Sequence, residues 1–319
     1  ASLVLLGSAV LFPTSLLSAP VRIAPDRELQ VSQAQEGETD LAYLRALADQ
    51  GDALMQYALG LMYETGEIGP NDMAAAALYR SAAEQGLQEA QFRLAAFYSE
   101  GRGVTQDTEE AVRLYYQAAI QENSESQGAL RAFADQGIAS AQYFVGLMFH
   151  TGVGSSPGSS MAAQYYNRAA QQGHAEAYEG LRTLGEHWTR AQFFLGSLND
   201  LGEGIEQNYA EALRWYRLAA AQGDDESQYR IGMMYAEGHG VEQDLSEAAR
   251  WFRISTEDDL REYDKAGELI VDPKFLTQEV EGARTKLRQL AEGKDPVAQF
   301  HLGLLNERYA RKWYQEAST

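Results

Sequence analysis

Apolar residues recur along this chain at helical intervals, in blocks that end at glycine. The clearest block runs from Ala191 to Gly223. It sets Phe194, Leu195, Leu198 and Leu201 along one face of a first helix. Gly202 and Gly204 then break the run and permit a tight turn. A second helix follows, with Ala212, Trp215, Tyr216, Ala219 and Ala220 spaced for one face, and Gly223 stops it. The unit is therefore helix A, glycine loop, helix B, glycine.

The block repeats. A glutamine, an aromatic, any residue, an aliphatic and then Gly or Ala begin at Gln56, Gln91, Gln142, Gln192, Gln228 and Gln299, with spacings of 35, 51, 50, 36 and 71. The small residues are Gly60, Ala95, Gly146, Gly196, Gly232 and Gly303. A glycine inside a helix costs about 1 kcal/mol against alanine. Its recurrence predicts a neighbouring helix packed on the bare backbone, with large rings filling the remaining space. One unit cannot bury its apolar face alone, so the units must stack. A second motif, Leu-Arg-x-(Leu/Phe), falls at Leu44, Leu130, Leu181 and Leu287 and reads as a lone helix B. It accounts for two long spacings by extra single helices near 125–136 and 175–187. The longest spacing predicts a degenerate repeat near 256–293, with Asp272-Pro273 in its loop. The unit from Val297 lacks a glycine loop and is either truncated or a closing cap.

Charge and the N-terminus narrow the function. The 319 residues include 46 acidic against 26 basic side chains, a net charge of −20. That opposes binding to nucleic acid, whose phosphates need clustered Lys and Arg, and to anionic membrane surfaces. With no cysteine, disulfides and thiolate metal sites are excluded. Ala1 to Ala19 is uncharged and mostly apolar, which reads as an export signal or a short anchor, or else as a buried apolar helix. Residues 20–38 read as a polar linker ahead of a repeat array over 39–319. The expected location is the periplasm or cell envelope, with a membrane tether through the N-terminal segment. The alternative is the cytoplasm.

Catalytic signals are weak. The histidines (His150, His174, His187, His239, His301) form no zinc-type pair. Gly154-Ser155-Ser156-Pro157-Gly158 formally matches a nucleophile elbow, but that turn needs a preceding strand, and here it is an enlarged inter-helix loop. No catalytic, cofactor-binding or metal-ligating residue is assigned, and no cofactor is expected.

AQFRLAAFYSEGRGVTQDTEEAVRLYYQAA from Ala90 and SQYRIGMMYAEGHGVEQDLSEAARWF from Ser227, each with a Gly-x-Gly-Val-x-x-Asp loop, resemble the Sel-one-like repeat family, relatives of the tetratricopeptide repeat. The resemblance covers most of Leu41 to Ala317. It implies an all-α, right-handed superhelix of antiparallel helix pairs used as a protein–protein adaptor, not an enzyme. Some cysteine-rich exported members bind or hydrolyse β-lactams, and this chain lacks their cysteines. In such units the helix A aromatics Tyr57, Phe92, Tyr143, Phe193, Tyr229 and Phe300 lie on or near the inner surface. They are either a ladder for a bound peptide or part of the packing pattern. Arg93, His150, Arg190, Asp200 and Glu237 would tune specificity, with Arg190 and Asp200 expected outside the packing pattern. The expected partner is a protein segment, extended or helical, apolar at intervals and net basic.

Overall fold

The computed structural model describes residues 33–153, 156–255, 278–294, 296–299 and 301–302, which are helices and short connections with no strand among them. A first helix, α1 (Gln33–Asp49), precedes the hairpins α2 (Ala53–Thr65)/α3 (Asp72–Glu84) and α4 (Gln88–Glu100)/α5 (Thr108–Ala119). A single helix α6 (Ser124–Asp135), the hairpin α7 (Ala139–Thr151)/α8 (Ser159–Gln171) and a second single helix α9 (Ala175–Gly185) follow. The hairpins α10 (Thr189–Leu201)/α11 (Tyr209–Ala220) and α12 (Asp225–Glu237)/α13 (Leu245–Ile254) lead to α14 (Gln278–Glu292). The chain is an all-α solenoid of stacked helix pairs. It divides into two compact units at Leu130/Arg131, inside α6.

Helix α1 begins within the stretch read as a polar linker, because Gln, Ala and Glu favour helix whatever their polarity. The apolar leader 1–19, the Asp272-Pro273 loop and nearly all of the last unit lie outside the described residues.

Local signals fix each hairpin. The Asp that closes the glycine loop caps helix B: Asp107 accepts from the Glu110 N–H at 3.0 Å, and Asp244 from Ser246 and Glu247 at 2.9 and 3.0 Å. Asn71 and Asn208 do the same elsewhere. Each such cap stabilises its helix by about 1 kcal/mol. Gly101, with φ of 70°, ends α4 in the left-handed conformation that favours glycine.

The mid-helix glycines are seats for rings. A Cβ at Gly60 would lie 2.8 Å from Tyr79, one at Gly146 2.7 Å from Tyr166, and one at Gly232 2.6 Å from Phe252; Gly196 faces Tyr216 closer still. These four rings are at most 1% exposed. Where the second repeat carries Ala95 instead, the matching ring, Tyr115, is 6% exposed.

The motif glutamine is a cross-brace. Its Nε2 donates to a carbonyl at the end of the preceding helix: Gln56 to Ala48 (3.1 Å), Gln91 to Ala83 (3.3 Å), Gln142 to Ala134 (3.1 Å), Gln192 to Gly185 (2.9 Å), Gln228 to Ala220 (3.4 Å) and Gln299 to Ala291 (3.1 Å). Those carbonyls have no partner within their own helices. Its Oε1 in turn accepts from a second glutamine 29 or 30 residues later, at the end of helix B: Gln85, Gln121, Gln172 and Gln222, at 2.7–2.9 Å. The ends of α1, α6, α9 and α14 supply acceptors in the same way as a helix B.

In the second unit α9 reverses the array. Where one hairpin directly follows another, the loop after helix A lies on the start of the previous helix B. A Cβ on Gly240 would meet Tyr209 at 2.8 Å, and one on Gly103, in the first unit, would meet the Asp72 carbonyl. The loop after α10 lies instead on the end of α8: Gly204 faces the Ala170 carbonyl, and Gln171 Nε2 donates to Glu203 Oε2 at 2.7 Å. Helix α10 therefore runs parallel to α8, whereas α12 runs antiparallel to α11. One added helix changes the parity, so α7 and α10 point in opposite directions. Glycines on α9 allow the insertion. Gly180 abuts Tyr166 (2.8 Å), and Gly185 abuts Leu195 (2.6 Å) and Trp215 (3.2 Å).

Candidate protein-interaction surface

Among the described residues, each helix A aromatic is held against the helix B ring of its own hairpin; Phe300 lies outside them. The centroid distances are 5.8 Å for Tyr57–Tyr79, 5.8 Å for Phe92–Tyr115, 5.9 Å for Tyr143–Tyr166, 6.0 Å for Phe193–Tyr216 and 5.7 Å for Tyr229–Phe252. Tyr57 is buried, while Phe92, Tyr143, Phe193 and Tyr229 are half-buried. Two of the four half-buried rings are also covered from within the chain: Tyr143 stacks on His174 at 4.7 Å and 24°, and Arg190 lies over Phe193. Because α9 reverses the array, the half-buried rings of α10 and α12 belong to one run and that of α7 does not continue it.

A second position on helix A, four residues after the small one, is matched to the helix B ring. Glu64 Oε2 accepts from the Tyr79 hydroxyl at 2.5 Å, and Asp200 Oδ2 from that of Tyr216 at 3.2 Å. His150 Nδ1 lies 3.3 Å from the Tyr166 hydroxyl, and Ser99 faces that of Tyr115. Where the ring is Phe252 and has no hydroxyl, the position is Ala236. Burial pushes the Tyr79 and Tyr216 phenols above their usual range, with the carboxylate beside each adding to the shift. They remain donors at physiological pH.

The acidic copies sit where two hairpins follow one another directly. In the first unit, Glu64 of α2 meets Arg102 Nη1 of the next glycine loop at 3.3 Å and Arg93 of α4 at 3.7 Å. Arg102 also reaches Asp72 at 3.0 Å and lies 4.4 Å over the Phe97 ring. In the second unit, Arg230 and His239 stand in the places of Arg93 and Arg102 and act on Asp200 of α10 only through their charge, without an ion pair. Burial raises the Asp200 carboxyl above its ordinary value, against the opposing effects of the Tyr216 hydrogen bond and those two groups.

Arg190 and Asp200, expected outside the packing pattern, both have partners within the chain. Arg190 pairs with Glu226 at 2.6 Å and lies 4.9 and 4.8 Å over the Phe193 and Phe194 rings, joining the starts of α10 and α12. Asp200 takes the Tyr216 hydroxyl. Periodicity alone does not reveal such pairs; the acid-with-Tyr, Ala-with-Phe correspondence within the one chain is the signal that could have. Glu64, Tyr79 and Arg102 were missed for the same reason. The described part of the Gly154–Gly158 segment is loop, with the N–H of Gly158, at the start of α8, bonded to the Phe149 carbonyl of α7. Among the described residues, no group of three or more His, Asp or Glu could hold a metal ion, and no helix is long and apolar enough to cross a membrane.

An array of paired helices with glycine-seated rings and glutamine cross-braces defines a repeat protein. The family model for the Sel1 repeat matches residues 53–87, 88–123, 139–174, 189–224, 225–259 and 296–319, and the chain belongs to that family. The matches leave α6 and α9 between repeats. The chain is 30% identical over 147 residues to an exopolysaccharide production negative regulator of Rhizobium meliloti, covering 42% of this chain and 50% of that protein. It is 30% identical over 161 residues to chitin synthase regulatory factor 2 of Schizosaccharomyces pombe, covering 48% and 28%. It thus spans half or less of these relatives. A protective antigen of uropathogenic Escherichia coli displaying an SLR fold is 27% identical, with 83% of this chain and 59% of that one covered and a TM-score of 0.28. Sel1 repeats mediate protein–protein interaction.

Proposed function

We propose that this protein is a non-catalytic scaffold that holds a basic protein segment and organises a complex at the cell envelope. The observation that carries the reading is the pair of half-buried helix A rings on α10 and α12 beside half-buried acid, in a chain of net charge −20. Half-exposed rings provide contact area at little entropic cost, and an acidic surface steers basic partners toward it. Two relatives are named as regulators of polymer production, one of exopolysaccharide and one of chitin synthase, which supports a regulatory role without turnover. The uncharged apolar stretch Leu3 to Leu17 supports export.

The second reading is an intracellular regulatory scaffold, favoured by the same regulator names, which specify no compartment. Cell fractionation separates the two. Full-length protein found only in the cytosol would leave the intracellular scaffold. Recovery with the envelope, either anchored or cleaved near residue 20, would support export.

A further inference from the structure

We infer that the Asp200 carboxylate, at the junction of α10 and α12, is the seat for an arginine side chain of a partner protein. The inference rests on the scaffold reading and names the chemistry its surface takes.

The first unit shows what an occupied seat looks like. Around Glu64 converge the Tyr79 hydroxyl, Arg93 and the Arg102 guanidinium, which is also held by Asp72 and lies on Phe97. The second unit keeps the acid and the hydroxyl, as Asp200 and Tyr216, but not the bound cation. His239, at the position of Arg102, is turned away: its ring stacks on Tyr209 at 4.5 Å and 14°, and its Nδ1 faces Glu237 at 3.4 Å. The long side chain of Arg230 shares the neighbourhood of Asp200 without forming an ion pair. Among the described residues, Asp200 has the Tyr216 hydroxyl as its one side-chain hydrogen-bond donor and no ion-pair partner. Aspartate is one methylene shorter than glutamate, so its carboxylate sits back toward α10. Met234 stands where Phe97 supports the first guanidinium.

A half-buried carboxylate with unused acceptor positions forms its strongest bonds with a planar guanidinium, which can meet both oxygens at once. Arginine is also among the residues that most often anchor interfaces. Glu237, half-exposed at the rim, adds a second negative charge for the approaching side chain.

The test is a titration of the full chain, with labelled Ile and Met methyl groups, by the peptide acetyl-Gly-Arg-Gly-amide, with the citrulline peptide as the uncharged counterpart. The Ile231 and Met234 methyl signals should shift with the arginine peptide and not with citrulline. Asp200→Asn should weaken the response at least tenfold. His239→Arg should abolish it, because a resident guanidinium then fills the seat as Arg102 does. His239 lies in an exposed loop, so this variant decides the matter even if Asp200→Asn fails to fold. Equal shifts with citrulline, or an undiminished response in His239→Arg, would overturn the inference. Affinity capture with the unaltered chain is scored separately. If proteins are captured but no peptide response appears, the seat is wrong and the scaffold stands. A peptide response without capture leaves the seat and removes the scaffold.

Discussion

Replacing Gly232 with alanine adds one methyl group, and geometry decides the sign of the effect. In an unhindered helix the change stabilises by about 0.5–1 kcal/mol, since glycine loses more backbone freedom on folding. At position 232 the new Cβ would lie 2.6, 2.7 and 3.2 Å from Phe252 Cε1, Cδ1 and Cζ. That ring is fully buried in a cluster with Ala248, Ala249, Leu287, Ala291 and Ala298, so it cannot swing aside freely. Overpacking of this kind costs about 1–3 kcal/mol. The two terms leave Gly232→Ala destabilised by up to about 2.5 kcal/mol, and Gly232→Leu by more. Gly128 in α6 is the control: it is helical and exposed, with nothing within 4 Å of its Cβ position, so Gly128→Ala should gain about 0.5–1 kcal/mol. Urea unfolding followed by helical circular dichroism should move the midpoint down for Gly232→Ala and up for Gly128→Ala. A Gly232→Ala protein stabilised to the same extent as Gly128→Ala would refute the ring-seat reasoning.

Gln192→Leu removes the bond to the Gly185 carbonyl and the acceptor of Gln222. Leaving a buried carbonyl unpaired should cost about 1–3 kcal/mol in a denaturant series, and a neutral result would show that the cross-brace is not needed. Asp200 has a folded-state pKa raised above its ordinary 3.8, so its contribution to stability is full below that value and is lost as pH rises through the folded pKa. Asp200→Asn should therefore gain stability relative to the unaltered protein between acid and neutral pH; a pH-independent difference in melting would exclude the linkage. Partner binding should weaken steadily with added salt, because the screening length falls to about 10 Å at 0.1 M. Affinity unchanged between low and high salt would remove electrostatics from recognition.

The fold was legible because the sequence repeats its own packing solution: the Gln-aromatic motif, the helix A small residue and the Gly-x-Gly loop each recur at fixed offsets. The reason for the glutamine was not legible. Its motif carries no sign of the partner glutamine 29 or 30 residues later at the end of helix B, Gln85 or Gln222 for example. Only the hydrogen bonds make the pair a brace. The reversal at α9 was hidden because a single inserted helix looks harmless in a repeat alignment, and its effect is one of parity, felt only where Gly204 settles on the end of α8. Arg190 and Asp200 stood out because the motif did not require them. They pair with Glu226 and Tyr216 across helices, which no local pattern encodes.

The central claim is that this array binds a basic protein segment through its helix A face, and capture of partners by the full chain from native membranes tests it most directly. The identified partner is then titrated against Glu237→Lys, at the rim of that face, and Leu218→Ser, on helix B, where Leu218 is 41% exposed. The expected result is a small, reproducible set of captured proteins, released by salt, whose binding is weakened by Glu237→Lys and unchanged by Leu218→Ser. No protein recovered above background, or binding lost in Leu218→Ser and retained in Glu237→Lys, would contradict it.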